Sequence, residues 1–217
     1  MNILRPDSLS FPDHQAANRD GLLALGGDLS VPRLLLAYRS GIFPWTDDPL
    51  TWWSPDPRAI FEIESFHPPK RLATKLQKHS FNLTIDRDFS AVIHACAASV
   101  AGRESTWISP RFIEAYQELH RQGHAHSIEA WQNGHLVGGL YGVAIQGFFA
   151  GESMFHRATD ASKVVLCHLM QHLRTKKFEL FDTQVLSPLT ARLGAIEIRR
   201  RDYLERLASA LRNPTQF

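Results

Sequence analysis

The chain has 217 residues, of which 44% are hydrophobic and 21% charged, an ordinary globular composition that can bury a core. Its formal net charge of +2 neither requires nor forbids a nucleic-acid partner, so the clustering of basic residues matters more than their number. The first twenty residues contain no signal-peptide stretch, and no apolar run approaches the roughly 18 residues of a membrane-spanning helix. We therefore expect a soluble, cytosolic protein without a membrane partner.

The N-terminal segment, residues 1–58, is dense in glycine, proline and tryptophan and is predicted to form a small domain. One helix is expected within it, because Ser30 suits an N-cap, Pro32 is tolerated in a first turn and Gly41 suits a C-terminal stop. The remainder of the segment is expected to be loop and short strand.

Residues 59–217 are predicted to form a second, larger domain in which strands alternate with helices. Asn133-Gly134 is the strongest hairpin signal, since both residues tolerate positive φ in a tight turn. The predicted strands are 59–63, 81–85, 127–131, 136–145, 148–150 and 179–186, and the predicted helices are 69–78, 88–98, one from Ser109 to Gly123, a long one after Asp160 and one around 203–211. This order favours an α/β (α+β) fold with helices on both faces of a mixed sheet, as in the N-acetyltransferase (GNAT) superfold.

Neither cysteine nor histidine spacing indicates a metal site. Cys96 and Cys167 fall in apolar helical patterns, which predicts two buried, reduced thiols. His124 and His126 would share one strand face, but no third ligand follows at a useful spacing. No Walker loop or Rossmann fingerprint occurs either.

Glu152 is the first candidate for chemistry. It follows the predicted strand that ends at Ala150, and its neighbours Phe149, Met154 and Phe155 are apolar. An ionised carboxylate in such surroundings is costly unless it is paired. A surface charge at a strand end is the alternative interpretation.

Asp182 and Gln184 are the second candidates, a polar pair in an otherwise apolar strand. Residues two apart leave the same face of a strand, about 6–7 Å from each other. Phe181, Thr183 and Val185 would then take the opposite face. Buried polar groups need partners, and either a functional site or a structural hydrogen-bonded pair below a loop would supply them.

Tryptophans form the third feature. At least one of Trp52 and Trp53 is expected in the core, whereas Trp45, in a predicted loop, and Trp107 could offer flat platforms for bases.

Basic residues form the fourth feature. Lys70, Arg71, Lys75 and Lys78 lie on the predicted helix 69–78, with Arg58 nearby. Such a stripe suits a phosphate backbone, although most stripes of this kind are only solvated surface.

Six sequence blocks carry a family resemblance in their order and spacing. The chain resembles the leucyl/phenylalanyl-tRNA–protein transferases over nearly its whole length. The blocks are Gly21–Leu29, Gly41–Trp45, Trp52–Arg58, Gly123–Glu129, Gly151–Phe155 and Arg200–Tyr203.

The resemblance implies a small N-terminal domain followed by a GNAT-like catalytic domain. It implies transfer of Leu or Phe, and less readily Met, from aminoacyl-tRNA to proteins that begin with Arg or Lys. The product would be marked for degradation by the N-end rule pathway in the bacterial cytoplasm. It further implies that no metal or organic cofactor takes part, and we expect a monomer.

The resemblance also implies roles for individual residues. The implied catalytic centre is Glu152, Asp182 and Gln184, and Trp45 and Trp107 would sandwich the terminal adenosine of the tRNA. The implied apolar amino-acid pocket is Tyr38, Tyr116, Leu140, Met154 and Phe181. The implied contacts to the acceptor stem are Lys70, Arg71, Lys75 and Lys78. Ser187–Leu189 departs from the polar residues of the family at that loop.

Two mechanisms and two other functions stay open at this point. In one mechanism Asp182, acting through Gln184, deprotonates the attacking amine while Glu152 orients it; in the other the 2′-hydroxyl of the tRNA takes the proton. An acetyl-CoA-dependent GNAT acetyltransferase is disfavoured because its pyrophosphate-binding glycine pattern is not found. A non-catalytic RNA-binding module would leave these three polar residues without a role.

Overall fold

The computed structural model describes residues 2–68, 72, 80–98 and 106–217, and its N-terminal part forms a small sheet. The strands of this sheet are β1 (Asn2–Leu4), β2 (Leu22–Gly26), β3 (Phe43–Asp47) and β4 (Leu50–Trp53), in the order β1-β2-β4-β3. Strands β1 and β2 are parallel, and the other pairs are antiparallel. Helix α1 (Val31–Arg39) connects β2 with β3, and a short 3₁₀ turn occupies His14–Ala16.

A larger sheet follows, with seven strands in the described residues. Its strands are β5 (Arg58–Phe61), β6 (Asn82–Ile85), β7 (Ala125–Gln132), β8 (His135–Ile145), β9 (Phe148–His156), β10 (Leu180–Gln184) and β11 (Ile196–Ile198). The spatial order is β11-β5-β10-β9-β8-β7-β6. Only the β9–β10 pair among these is parallel, so the sheet is mixed.

Helices cover both faces of the larger sheet. They are α2 (Phe89–Ala97), α3 (Pro110–Arg121), α4 (Ala161–Thr175), α5 (Pro188–Arg192) and α6 (Arg200–Ala210). Along β8, Tyr141 and Val143 pack in the core that contains α2 and α3, whereas Leu140 and Ala144 pack in the core that contains α4. This alternation follows from the two-residue period of a strand, and the predicted α/β class is confirmed.

Most helix and turn ends lie where local residues predict them. Ser30 precedes α1, and Gly41, at φ +71°, lies just beyond its end. The Asp88 side chain accepts a hydrogen bond from Ala91 N at 2.9 Å and caps α2. Asn133-Gly134 forms the β7–β8 turn with φ of 52° and 78°.

Three local predictions were wrong or incomplete. Strand β9 does not end at 150 but continues to His156, so Glu152 lies inside a strand. Helix α5 and strand β11 were not predicted, because elements of five and three residues are too short to show a period. The segment Ser187–Leu189, which differs from the family, begins α5: Ser187 is its N-cap and forms a reciprocal capping box with Thr190.

The predicted basic helix 69–78 lies outside the described residues except for the buried Leu72. Lys70, Arg71, Lys75 and Lys78 therefore have no structural outcome. The first sheet uses residues 2–53 and the second begins at Arg58, and the domain boundary at 58 stays a prediction. Within the part of the chain that the structure describes, no helix is both long and apolar enough to cross a membrane.

Candidate active site

Glu152 is held by three neutral donors from three different elements. Tyr38 of α1 donates to its Oε1 atom at 2.8 Å, and Tyr116 of α3 donates to Oε2 at 3.0 Å. Gln184 Nε2, at the end of β10, donates to Oε1 at 2.8 Å. The hydroxyl oxygens of Tyr38 and Tyr116 also lie within hydrogen-bond distance of each other. A carboxylate of β9 is thus fixed from two helices and the neighbouring strand.

The surroundings of Glu152 favour its protonated form. Burial raises the pKa of Glu152 to about 7, and the nearby charge of Asp182 acts in the same direction. The hydrogen bonds from Tyr38, Tyr116 and Gln184 oppose this shift without cancelling it. Burial, together with the charge of Glu152, also holds the pKa of both tyrosines well above the usual value. Glu152 can therefore change its charge near neutral pH.

Asp182 has a cationic partner. Arg58 donates to it through Nε at 2.9 Å and through Nη2 at 2.6 Å, and Tyr203 donates its hydroxyl at 2.8 Å. The backbone N–H of Gln184 adds a fourth hydrogen bond at 2.8 Å. Asp182 and Arg58 are 0% and 1% exposed. Four donors occupy the acceptor sites of the two carboxylate oxygens, so this pair is a saturated buried ion pair.

The prediction that Asp182 and Gln184 leave one face of a regular strand was wrong. Gln184 has φ +63°, and the β5–β10 register shifts between the two residues, with Asp182 opposite Ile60 and Gln184 opposite Ala59. This bulge turns Gln184 toward Glu152 while Asp182 points to Arg58. The two residues remain linked through the Gln184 N–H, not through its side-chain amide.

Arg58 groups in the sequence with the nearby basic residues of 69–78, but its side chain is buried. Its guanidinium is buried between the rings of Phe43 and Tyr203, 4.7 and 4.5 Å from their centroids, and also donates to Gly41 O at 3.0 Å. Arg58 and Tyr203 are therefore site-supporting residues that sequence reasoning missed. Each is the last residue of one of the blocks that carry the family resemblance. The two residues are 145 positions apart, and no local sequence pattern indicates that they are in contact.

An apolar cavity of about 200 Å³ opens beside Glu152 and Gln184. Three residues predicted for the amino-acid pocket lie in its lining, which includes Leu140, Met154 and Phe181. Tyr38 and Tyr116, also predicted there, are not in the lining; they lie behind the Glu152 carboxylate, 1% and 0% exposed. The two tyrosines are therefore connected to the cavity lining through their hydrogen bonds to Glu152.

A second cavity, of about 190 Å³, adjoins the first. Trp45 and Trp107, the two tryptophans predicted to stack on a base, both line it. Trp45 lies in β3, not in a loop, and is 37% exposed, whereas Trp52 is fully buried in the core. The two cavities share four lining residues, Glu152, Thr183, Gln184 and Val185. We refer to these four as the cavity junction.

The histidine and cysteine residues considered as metal ligands do not form a metal site in the described residues. His126 is hydrogen-bonded to Asp86 at 2.7 Å, and both Cys96 and Cys167 are buried in helices. No group of three or more His, Cys, Asp or Glu residues able to hold a metal occurs in the ranges that the structure describes.

Family sequence models and individual relatives match this chain over most of its length. The sequence model of the family described as leucyl/phenylalanyl-tRNA protein transferase matches residues 60–208, and that of the family's N-terminal domain matches residues 27–56. A relative of that name from Solidesulfovibrio magneticus is 52% identical over 207 residues, covering 94% of this chain and 84% of its own length. Another, from Shewanella halifaxensis, is 49% identical over 217 residues, covering 98% and 92% respectively.

Solved structures resemble the chain more distantly. The structure of L-PGS from Bacillus licheniformis covers 77% of this chain and 54% of its own, with 12% identity and a TM-score of 0.45. A ribosomal-protein-alanine N-acetyltransferase from Brucella melitensis biovar Abortus covers 52% and 85%, with 15% identity and a TM-score of 0.36. These scores are too low to bear on activity.

Proposed function

Since the chain belongs to the leucyl/phenylalanyl-tRNA protein transferase family, we propose that it transfers Leu or Phe, and less readily Met, from aminoacyl-tRNA to a protein N-terminus. The acceptors would begin with Arg or Lys, and the modified N-terminus would mark them for degradation by the N-end rule pathway. We place the reaction in the cytoplasm, where charged tRNA is found, and expect the protein to act as a monomer without a metal or organic cofactor.

The observation that carries this proposal is the cavity junction. A leucyl- or phenylalanyl-adenosine has an apolar side chain on one side of its ester and a flat base on the other. The cavity lined by Leu140, Met154 and Phe181 suits the side chain, and the one lined by Trp45 and Trp107 suits the base. The ester would then lie at the junction, against polar atoms.

The reaction is the aminolysis of an activated ester. A neutral acceptor amine attacks the ester carbonyl, a C–N bond forms, and the bond from the carbonyl carbon to the ribose oxygen breaks. The amine proton finally resides on the released ribose hydroxyl, so no net proton is consumed. An α-amino group has an unperturbed pKa of about 7.7–8.0, so only modest assistance is needed beyond alignment.

We assign Gln184 and Glu152 to direct contact with the reacting groups, because both line the junction and are joined at 2.8 Å. Asp182 is assigned a positioning role, since its acceptor sites are filled and its carboxylate is 0% exposed. It holds the bulge that directs Gln184 into the junction. The Gln184 side-chain oxygen could then accept a hydrogen bond from the attacking amine, and the 2′-hydroxyl of the tRNA is the group that passes the proton to the leaving ribose oxygen.

The decisive experiment incubates the protein with labelled Leu-tRNA and an acceptor protein that begins with Arg. We expect label in the acceptor, and none in the same acceptor with a blocked N-terminus. Gln184→Ala should lower kcat far more than it weakens tRNA binding, while Gln122→Ala, at the exposed end of α3, serves as the control. Acetyl transfer from acetyl-CoA, or tRNA binding without transfer, would contradict the proposal.

We further propose that Lys70, Arg71, Lys75 and Lys78 contact phosphates of the acceptor stem. The support is their charge spacing in the sequence. Replacing Lys75 and Lys78 with Ala should reduce the salt dependence of tRNA binding by roughly one unit of slope per lost contact. An unchanged slope would make these lysines ordinary surface residues.

The apolar cavity supports the proposed preference for Leu and Phe. None of Leu140, Met154 and Phe181 can form an ion pair or a hydrogen bond with a charged side chain. An apolar cavity discriminates between two substrate side chains that differ by one methylene by only about 1–3 kcal/mol. Phe181→Ala should therefore blur the order among Leu, Phe and Met without admitting Arg or Asp. Competition between charged tRNAs measures this order.

A further inference from the structure

The hydroxyls of Tyr38 and Tyr116 and the carboxyl group of Glu152 form a closed ring of three hydrogen-bond contacts. Tyr38 contacts Tyr116, Tyr38 contacts Glu152 Oε1 at 2.8 Å, and Tyr116 contacts Glu152 Oε2 at 3.0 Å. Each contact needs one hydrogen between its two oxygen atoms. A ring of three contacts therefore needs three hydrogens.

The number of available hydrogens depends on the charge of Glu152. Each tyrosine hydroxyl carries a single hydrogen, and an ionised carboxylate carries none. With Glu152 ionised, one of the three contacts would bring two oxygen lone pairs together without a hydrogen. With Glu152 protonated, every group in the ring donates once and accepts once, and all three contacts are hydrogen bonds.

Among the residues that the structure describes, no hydrogen-bond partner of Glu152 is a cation. Gln184 donates to Oε1 in either charge state of the acid. Asp182 contributes a negative charge. The charge of Arg58 also acts on Glu152 from a distance, but its guanidinium is bound to Asp182 through two hydrogen bonds. From β8, the hydroxyl of Tyr141 is buried without a hydrogen-bond partner in the described part of the chain. A buried carboxylate without a cation favours its neutral form.

We propose that the hydroxyl ring holds Glu152 as an uncharged carboxylic acid in the free protein, which makes Tyr38 and Tyr116 positioning residues. The charge state of Glu152 follows from the ring itself, and only its effect on the attacking amine rests on the transfer proposed above. An ionised carboxylate at the cavity junction would hold an incoming amine as its ammonium form, which cannot attack an ester. An uncharged acid lets the amine enter as the free base that aminolysis requires.

Infrared difference spectroscopy of the full chain, without tRNA or acceptor, tests the charge state directly. At pH 6 the wild type minus Glu152→Gln spectrum should contain the carbonyl band of an un-ionised carboxylic acid. Glu129→Gln is the control, because Glu129 is a fully buried carboxyl group that lies outside the ring; it should leave this band in place. A carboxylate signal alone at pH 6 would overturn the proposal.

Tyr116→Phe distinguishes the ring from simple donation to a carboxylate. If the tyrosines merely donate to an ionised Glu152, loss of one donor should move the midpoint of the acid band to higher pH. If the ring requires the third hydrogen, its opening removes that requirement and moves the midpoint to lower pH. If Tyr116→Phe fails to fold, Tyr38→Phe removes the other hydroxyl of the ring and should shift the midpoint in the same direction.

The infrared result is separable from the proposed transfer, since neither substrate is present. In transfer assays, the ring predicts that wild-type kcat falls on the alkaline side of the Glu152 midpoint, and that the residual kcat of Glu152→Gln lacks this limb. An acid band with no transfer would leave the ring intact and reject the function. Transfer without an acid band would reject the ring alone.

Discussion

Asp182 and Glu152 lie on adjacent strands of one sheet, yet of the two only Asp182 has a cation among the hydrogen-bond partners that the structure describes. Asp182 is fully enclosed by Arg58, Tyr203 and the Gln184 N–H, so its negative charge is matched by a cation. The partners that the structure describes for Glu152 are all neutral. The comparison teaches that burial disfavours the charge of a carboxylate unless a cation shares its site.

The largest effect is expected from removing the cation of the Asp182 region. Arg58→Met should lower the free energy of unfolding by about 3–5 kcal/mol, because it leaves a buried carboxylate uncompensated. Urea denaturation at pH 7 measures this loss. Arg58→Met combined with Asp182→Asn should be more stable than Arg58→Met alone. A loss below about 1 kcal/mol for the single variant would mean that Asp182 is not held as a buried charge.

A smaller, pH-dependent effect is expected in the Glu152 region. Burial raises the pKa of Glu152 from 4.5 to about 7, so the folded protein binds this proton more tightly than the unfolded chain. The resulting stabilisation is complete below about pH 4.5 and is lost as the pH rises through 7, by at most about 3 kcal/mol.

Glu152→Gln cannot ionise, so its stability relative to the wild type should increase between pH 5 and pH 8. Thermal melts across this range measure the trend. Glu205→Gln is the matched control, since the Glu205 side chain is 66% exposed on α6 and should show no such trend. A flat difference for Glu152→Gln would mean that Glu152 stays ionised throughout and that the two regions do not differ in charge.

The smallest effect is expected from Tyr203→Phe, which removes a neutral donor but leaves the cation of the Asp182 region in place. Its hydroxyl donates to Asp182 at 2.8 Å, and hydrogen bonds to charged groups contribute about 1.5–3 kcal/mol. The free energy of unfolding should therefore fall by about 2 kcal/mol, less than for Arg58→Met. Equal losses for the two variants would show that hydrogen bonding, not charge compensation, stabilises Asp182.

The sequence alone determined the features that depend on local backbone preference and on burial period. Ser109 begins α3 and its side chain accepts from Phe112 N, while Asn133-Gly134 closes the β7–β8 hairpin as predicted. At least one of Trp52 and Trp53 was expected in the core, and Trp52 is fully buried there. The site residues Glu152, Asp182 and Gln184 and the two tryptophans of the second cavity came from the polar and aromatic exceptions to these patterns, together with the family resemblance.

Only the tertiary structure decided how the polar residues pair. Arg58 meets Asp182 across 124 residues, and Tyr38 meets Glu152 across 114. No local pattern encodes such contacts, because they arise when folding removes charged groups from water and leaves them only one another as partners. The bulge that turns Gln184 away from Asp182 is equally non-local, since the β5–β10 pairing and the hydrogen bond to the Asp182 carboxylate hold Gln184 at positive φ.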